Sequence, residues 1–400
     1  MSPVPRLRPH AGPALLSYGF RPFFLFGAIY AGAAVLVWLP MFQGELSVST
    51  VWVARDWHVH EMLYGYVAAT VAGFLLTAIP NWTGRLPIQG VPLLFLVLLW
   101  VAGRVAVTMS ARIGWLPAAV IDVAFLATVA AAAAREIMAG RNWGNLKVLG
   151  VLAVLIAGNV VFHLEAHFHG VADYGIRIGI AAVLTLIMIV GGRIVPSFTR
   201  NWLARENPGR LPASFGRFDV AAIAVCALAL AMWIVLPFAA ATGVALLAGG
   251  LAQGLRLARW AGDRTARDRL VLVLHVGFAF VPIGFVLVGL GSLGLIAPSA
   301  GIHAWTVGAI GTMTLAVMTR ATLGHTGHEL QASRATQAIY AAVVVAAVSR
   351  IVAAATPFAT DLLLHVAACA WAVAFLGFAV AYGPLLMSPR ITAKVVPAWR

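Results

Sequence analysis

Long apolar runs separated by short polar loops set the pattern of this chain, and most loops carry arginine, proline or glycine. A helix crossing the bilayer needs about 20 apolar residues, and counting on that rule gives about twelve runs. They are Phe20–Phe42, Trp57–Ile79, Pro92–Met109, Trp115–Met138, Leu146–Phe168, Tyr174–Pro196, Phe218–Phe238, Ala240–Trp260, Leu270–Ile296, His303–Thr319, Ala338–Ala355 and Asp361–Met387. The pattern predicts an all-α polytopic integral membrane protein, with residues 1–400 forming a single transmembrane helical domain. No soluble domain, long linker or low-complexity tract interrupts it.

Composition agrees, since 62% of residues are hydrophobic and only 10% charged, with a mean hydropathy of +0.94. A net charge of +14 would suggest nucleic acid in a soluble domain. Here the basic residues sit in loops between apolar runs, which makes them a topology signal and excludes nucleic acid as the partner. Placing the N-terminus in the cytoplasm puts most of them inside, from Arg6 and Arg8 through Arg85, Arg135, Arg200 and Arg264 to Lys394 and Arg400. Only Arg55, Arg112, Arg177 and Arg350 then face the other side, so both termini are expected to be cytoplasmic. Pro3, Pro5, Pro9 and Pro13 break up the first residues, which read as a short tail and not as a cleaved signal. Cys226 and Cys369 both lie inside apolar runs, excluding a disulfide framework, a Cys-x-x-Cys-His haem attachment and a thiolate cluster. Any metal must rely on histidine, carboxylate or methionine.

An internal echo appears at the ends of every fourth run. Pro80-Asn81-Trp82-Thr83-Gly84-Arg85, Pro196-Ser197-Phe198-Thr199-Arg200-Asn201 and Met318-Thr319-Arg320 recur at a spacing of roughly 115 to 120 residues. This suggests three pseudo-symmetric four-helix units, with convergent loop chemistry as the alternative.

Chemistry concentrates first in Trp57-His58-Val59-His60-Glu61-Met62, at the mouth of an uncharged run from Leu63 to Ile79. Ionisable groups in a bilayer are costly and mark a site by default. Residues two apart on a helix point roughly 200° apart, so His58 and His60 cannot both face one metal unless the turn is irregular. Each is a candidate metal ligand, and interfacial histidines capping a helix start are the bland alternative. By depth, His58, His60, His163, His167, His169 and His303 fall toward the outer face; His275, His325 and His328 fall toward the cytoplasm. His303 and His325 lie about 30 Å apart along a straight helix, too far to share a metal.

Among the outer residues, His163 lies deeper than His167 and is the better metal candidate. Haem needs one or two axial ligands from facing helices, and His60 with His303 or His163 could supply them. Glu61 beside His60 and Glu165 near His163 are the candidate proton donors. Among the inner residues, His275 and His325 are candidate metal ligands beside Arg193 and Arg320, whose guanidinium groups could clamp haem propionates or another anion. Arginines reaching for lipid phosphate are the competing reading. Arg104 and Asp122 sit at matched depth on neighbouring helices and predict a buried ion pair.

Taken together these residues resemble the NnrS family of haem- and copper-containing inner-membrane proteins of nitric oxide metabolism. The matching stretches are Gly19-Phe20-Arg21-Pro22-Phe23-Phe24, the Trp57 to Met62 segment, Gly73 to Arg85, Gly191 to Asn201, and His303 through Gly308-Ala309-Ile310-Gly311-Thr312-Met313 to Gly327. They run nearly end to end, in order. His328 departs from the pattern, which is expected to have arginine after the His-Thr-Gly turn. The resemblance implies about twelve helices, b-type haem, copper, location in the bacterial cytoplasmic (inner) membrane, and protection against nitric oxide. The reaction it leaves open is narrowed by chemistry alone: a nitric oxide reductase or related detoxifying oxidoreductase would draw electrons from quinol or a separate redox protein. A binding or relay protein without turnover is the second reading, and a transporter with helices broken at Pro80 and Pro196 the third.

Overall fold

Inside a bilayer the backbone finds no water, so each apolar run must satisfy its own N–H and C=O groups as helix. The computed structural model describes residues 12–391; Arg6, Arg8, Lys394 and Arg400, used in the orientation argument, lie outside them. Among the described residues every regular element is helical, and twelve helices are long and apolar enough to cross a membrane. They are α1 Phe20–Phe42, α2 Ala54–Thr83, α3 Val91–Thr108, α4 Trp115–Ala139, α5 Trp143–His169, α6 Asp173–Glu206, α7 Arg217–Val235, α8 Ala240–Ala258, α9 Arg269–Ser292, α10 Pro298–Thr326, α11 Arg334–Ala355 and α12 Thr360–Met387.

Two boundaries differ from expectation in an informative way. The helix runs through Pro80 to Thr83 and through Pro196 to Glu206, so neither proline breaks its span. α10 likewise extends to Thr326 and carries His325 in its last turn.

The interruptions lie elsewhere. α2, α6 and α10 each contain a π-helical segment, at Glu61–Val67, Ile187–Gly191 and Ala304–Gly311. These are the three spans whose ends carry the sequence echo. A π turn frees carbonyls from the regular ladder and is frequent at functional sites. The partners of nearby carbonyls are visible. Trp100 Nε1 donates to Gly65 O at 3.0 Å, Arg256 Nη1 to Met188 O at 2.9 Å, and Thr314 Oγ1 to Ile310 O at 2.7 Å.

α2 lies innermost: 83% of its most apolar stretch is buried, against 33% for the peripheral α7. Around it the first and last spans close on each other. Trp371 of α12 donates to Ala31 O of α1 at 3.0 Å. Arg21, buried at the start of α1, donates to Leu386 O and Ser388 O at 2.8 and 2.7 Å, capping the end of α12 with a cation where helix carbonyls are left over.

Candidate functional site

The π turn that begins at Glu61 lets two consecutive residues work together. On a regular helix neighbours diverge by about 100°, yet His60 Nδ1 lies 2.9 Å from Glu61 Oε1. Three further spans converge on this pair. Arg104 of α3 donates from Nη1 to Glu61 Oε1 at 2.6 Å and from Nη2 to Asp122 Oδ1 of α4. Asn159 and His163 of α5 meet Asp122 Oδ2 at 2.8 and 3.1 Å. His60 Nε2 lies 3.2 Å from Asp122 Oδ2 and 3.0 Å from Asn159 Oδ1. Tyr30 of α1 donates to Glu61 Oε2. The close approach requires small residues at two places: a Cβ at Gly65 would stand 2.6 Å from Arg104 Nη1, and one at Gly103 would stand 3.3 Å from Asp122.

His60, Glu61, Asp122, Asn159, His163 and Arg104 are all buried. Trp52, from the loop before α2, covers the cluster on that loop's side, with its ring 4.6 Å from that of His60 and 5.1 Å from that of His163. One ligand atom from each of His60, Asp122 and His163 lies within 4.8 Å of the others, a grouping able to hold a metal ion. The donor set suits copper or zinc. Charge suits a monovalent ion: two carboxylates face one guanidinium, leaving one negative charge for a cation or a protonated imidazole to cancel.

The other sequence candidates fall into separate places. His58 points the opposite way from His60, stacks on Trp38 at 4.1 Å, and has a buried Nδ1 without a partner. His303 donates its Nδ1–H to Ser299 O at 2.6 Å, one turn back in its own helix, and is not part of the His60, Asp122 and His163 grouping. His60 and His303 therefore do not face each other. Glu165 accepts the backbone N–H groups of Tyr174 and Gly175 at 3.1 and 2.7 Å, fixing the first turn of α6.

Arg193, Arg320 and His325 do come together, on the wall of a cavity of about 650 Å³ at the other end of the bundle. Its wall also includes Lys147, Asn81, Trp82 and Phe198, so the ends of α2, α6 and α10 all contribute. Among the described residues no carboxylate lines it. Arg320 lies over the Phe198 ring at 4.2 Å, with a buried Nη1 that has no partner. His275 is not on this wall; its Nε2 meets Thr199 Oγ1 at 2.8 Å behind it.

The buried ion pair expected between Arg104 and Asp122 is present, but as the centre of a network and not as an isolated strut. Tyr30 and Asn159 were missed. Asn159 had a signal, because it stands one helical turn from His163 on the same face.

A match to the family model described as NnrS protein covers residues 14–390. The chain belongs to the NnrS family. No curated protein matches it. NnrS membership makes this a nitric-oxide-related membrane protein, in a family associated with metal and haem binding.

Proposed function

We propose that this NnrS chain is an oxidoreductase of the bacterial cytoplasmic membrane that removes nitric oxide, with a metal at the outer cluster and haem b in the inner cavity. The observation that carries the reading is the burial of two carboxylates, a guanidinium and two imidazoles in a dry bundle. Replacing such a buried network by apolar side chains is often neutral or stabilising, so stability alone does not account for it.

The haem implied by the family needs an imidazole beside an apolar space. His60, held by Glu61 and Asp122, and His303, which faces away from it, do not fit as an axial pair. The inner cavity fits better: it has the volume of a ligand site, aromatic walls, His325 as imidazole, and Arg193, Arg320 and Lys147 for the acid edge. Bound there, haem would supply an iron able to bind nitric oxide. Copper would take His60, Asp122 and His163, with Glu61 and Arg104 balancing charge. His58, His275 and Glu165 take no ligand in this reading.

Nitric oxide is small and nearly apolar and enters through lipid. Its reduction joins two molecules with two electrons and two protons to give nitrous oxide and water. The electrons come from quinol or a separate redox protein. The chain's own part is proton handling: Tyr30, Glu61, His60, Asp122 and His163 form one connected path of hydrogen-bonding groups along which a proton can be held or passed.

A second reading, a trap or relay for nitric oxide or metal without turnover, draws on the closure of the outer cluster, where every proposed ligand atom already has a protein partner. Steady-state nitric oxide consumption by purified protein with excess reductant separates the two. Turnover lost in Glu61→Gln supports the oxidoreductase; stoichiometric uptake that stops after one filling rejects it.

A further inference from the structure

A third space, outside both sites, opens between α3 and α4 at the end of the bundle where α2 finishes. It measures about 840 Å³ and is walled by the connection Gly84 to Gln89, the first turns of α3 from Val91 to Leu96, and Thr128, Ala132, Arg135 and Glu136 of α4. Its charges gather at one end. Arg85 donates to Glu136 Oε2, and Arg135 donates to Glu136 Oε1 at 2.9 Å, so each carboxylate oxygen is taken by one guanidinium. Two cations on one anion leave a net positive mouth, and both arginines remain largely exposed, at 47% and 68% of their side-chain surface.

Below the mouth the chemistry changes. From Arg135 down to Thr128 the wall is about 10 Å of helix, and it faces Leu96 and the outward-turned Val91 and Phe95. The one polar side chain at that depth, Thr128, spends its hydroxyl on Ala124 O at 2.7 Å. The space is thus a dry slot with a cationic rim. A soluble anion would leave the slot unfilled, and an uncharged lipid would leave the rim unanswered.

We infer that this groove is a binding site for one anionic phospholipid, its phosphate at Arg85 and Arg135 and an acyl chain along Leu96, Phe95 and Ala132. Basic pockets between transmembrane helices take such headgroups, and each guanidinium at a membrane surface adds to the attraction. The site is independent of the metal and haem reading above. It adjoins the inner cavity through one short stretch of chain: Trp82 lines the cavity and Arg85 lines the groove. Asn142, just past α4, clamps that stretch by donating to Trp82 O at 2.5 Å.

The test is native mass spectrometry of the full chain released from micelles holding equal phosphatidylglycerol and phosphatidylethanolamine. Wild type should retain one phosphatidylglycerol, and Arg85→Gln/Arg135→Gln should cut that occupancy at least fivefold. Arg85→Lys/Arg135→Lys should restore most of it, showing that the loss is not misfolding. Ala132→Trp, which fills the slot from its part-exposed wall and leaves the rim, should also expel the lipid. Inorganic phosphate should not displace it. Equal retention of both lipids, indifference to the glutamine changes, displacement by phosphate, or displacement by a short-chain quinone would each overturn the assignment.

Discussion

The two ends of the bundle handle buried charge in opposite ways. At the outer cluster each cationic or anionic group finds its partner within the protein: Arg104 spans Glu61 and Asp122, and Asp122 in turn collects His60, His163 and Asn159. At the inner cavity three cations share a wall on which, among the described residues, no carboxylate lies. A buried guanidinium nitrogen lacks a hydrogen-bond partner at both ends, Arg320 Nη1 here and Arg104 Nε there, but only Arg104 has carboxylates on its other nitrogens. A low-dielectric interior makes an unpaired charge expensive. The first site therefore needs no added organic ligand, whereas the second, in the reading proposed above, is completed by one with acidic groups. Closed networks resist change and keep geometry; open ones bind.

That contrast predicts its largest effect in folding stability. Asp122→Leu takes one partner at once from Arg104, His60, His163 and Asn159, and breaking a buried pair from one side costs about 3 to 5 kcal/mol. Reversible unfolding in mixed micelles should show that loss, while Arg193→Leu at the inner cavity, which gives up a cation over the Phe215 ring, should stay within about 1 kcal/mol. Because Arg104 serves both carboxylates, Arg104→Met/Asp122→Leu should cost less than the sum of the two single changes, though more than Asp122→Leu alone, since Glu61 then loses its cation. Equal costs at the two ends, or strict additivity in the double variant, would erase the distinction.

A smaller effect sharpens the meaning of the closed site. Asn159 binds no metal in the proposal; it donates to Asp122 and accepts near His60 Nε2, orienting both. Removing such a supporting partner typically weakens metal affinity about 10- to 100-fold. Copper(I) affinity by chelator competition should fall by that order in Asn159→Leu and stay unchanged in His275→Ala, whose ring rests on Thr199. An undiminished affinity in Asn159→Leu would show that the cluster holds its protons or its metal without this support.

The sequence made one half of this comparison easier to read than the other. Spans were legible because twenty-residue apolar runs leave few alternatives, and even the α1 boundaries Phe20–Phe42 agree. What could not be read was the phase inside a span. His58 and His60 diverge as helix geometry expects, but regular spacing puts His58 on the face of Glu61, whereas His60 is the one that meets it, at a π turn that periodicity alone does not announce. Pairing across the bundle was visible where depth fixed it, as for Arg104 with Asp122. It was invisible where depth was equal but direction differed. His303 lies near the start of its span, as His60 does, yet spends its Nδ1–H on Ser299 O, and Glu165 shares α5 with His163 yet turns to cap α6. The inner cavity was half legible: Arg193, Arg320 and His325 were foreseen, while Lys147 and the asparagines arrive from helix ends distant in sequence.

The smallest effect is the sharpest test of openness. In a closed network an arginine cannot be removed cheaply; at a wall that awaits a ligand it can. Arg320 gives up its contact with Phe198, worth about 0.5 to 1 kcal/mol at a partly exposed site, and its Nη1 has no hydrogen-bond partner to lose. Arg320→Gln should therefore unfold within about 1 kcal/mol of wild type when no ligand is present. With metal-free protoporphyrin added the two should separate, wild type gaining thermal stability and the variant gaining less, because a charge-assisted hydrogen bond to a carboxylate has gone. The dimethyl ester of the same porphyrin, flat and apolar but without its acid edge, should treat wild type and variant alike. A ligand-free variant that unfolds several kcal/mol earlier would mean that Arg320 is already satisfied, and the inner end would then be as closed as the outer one.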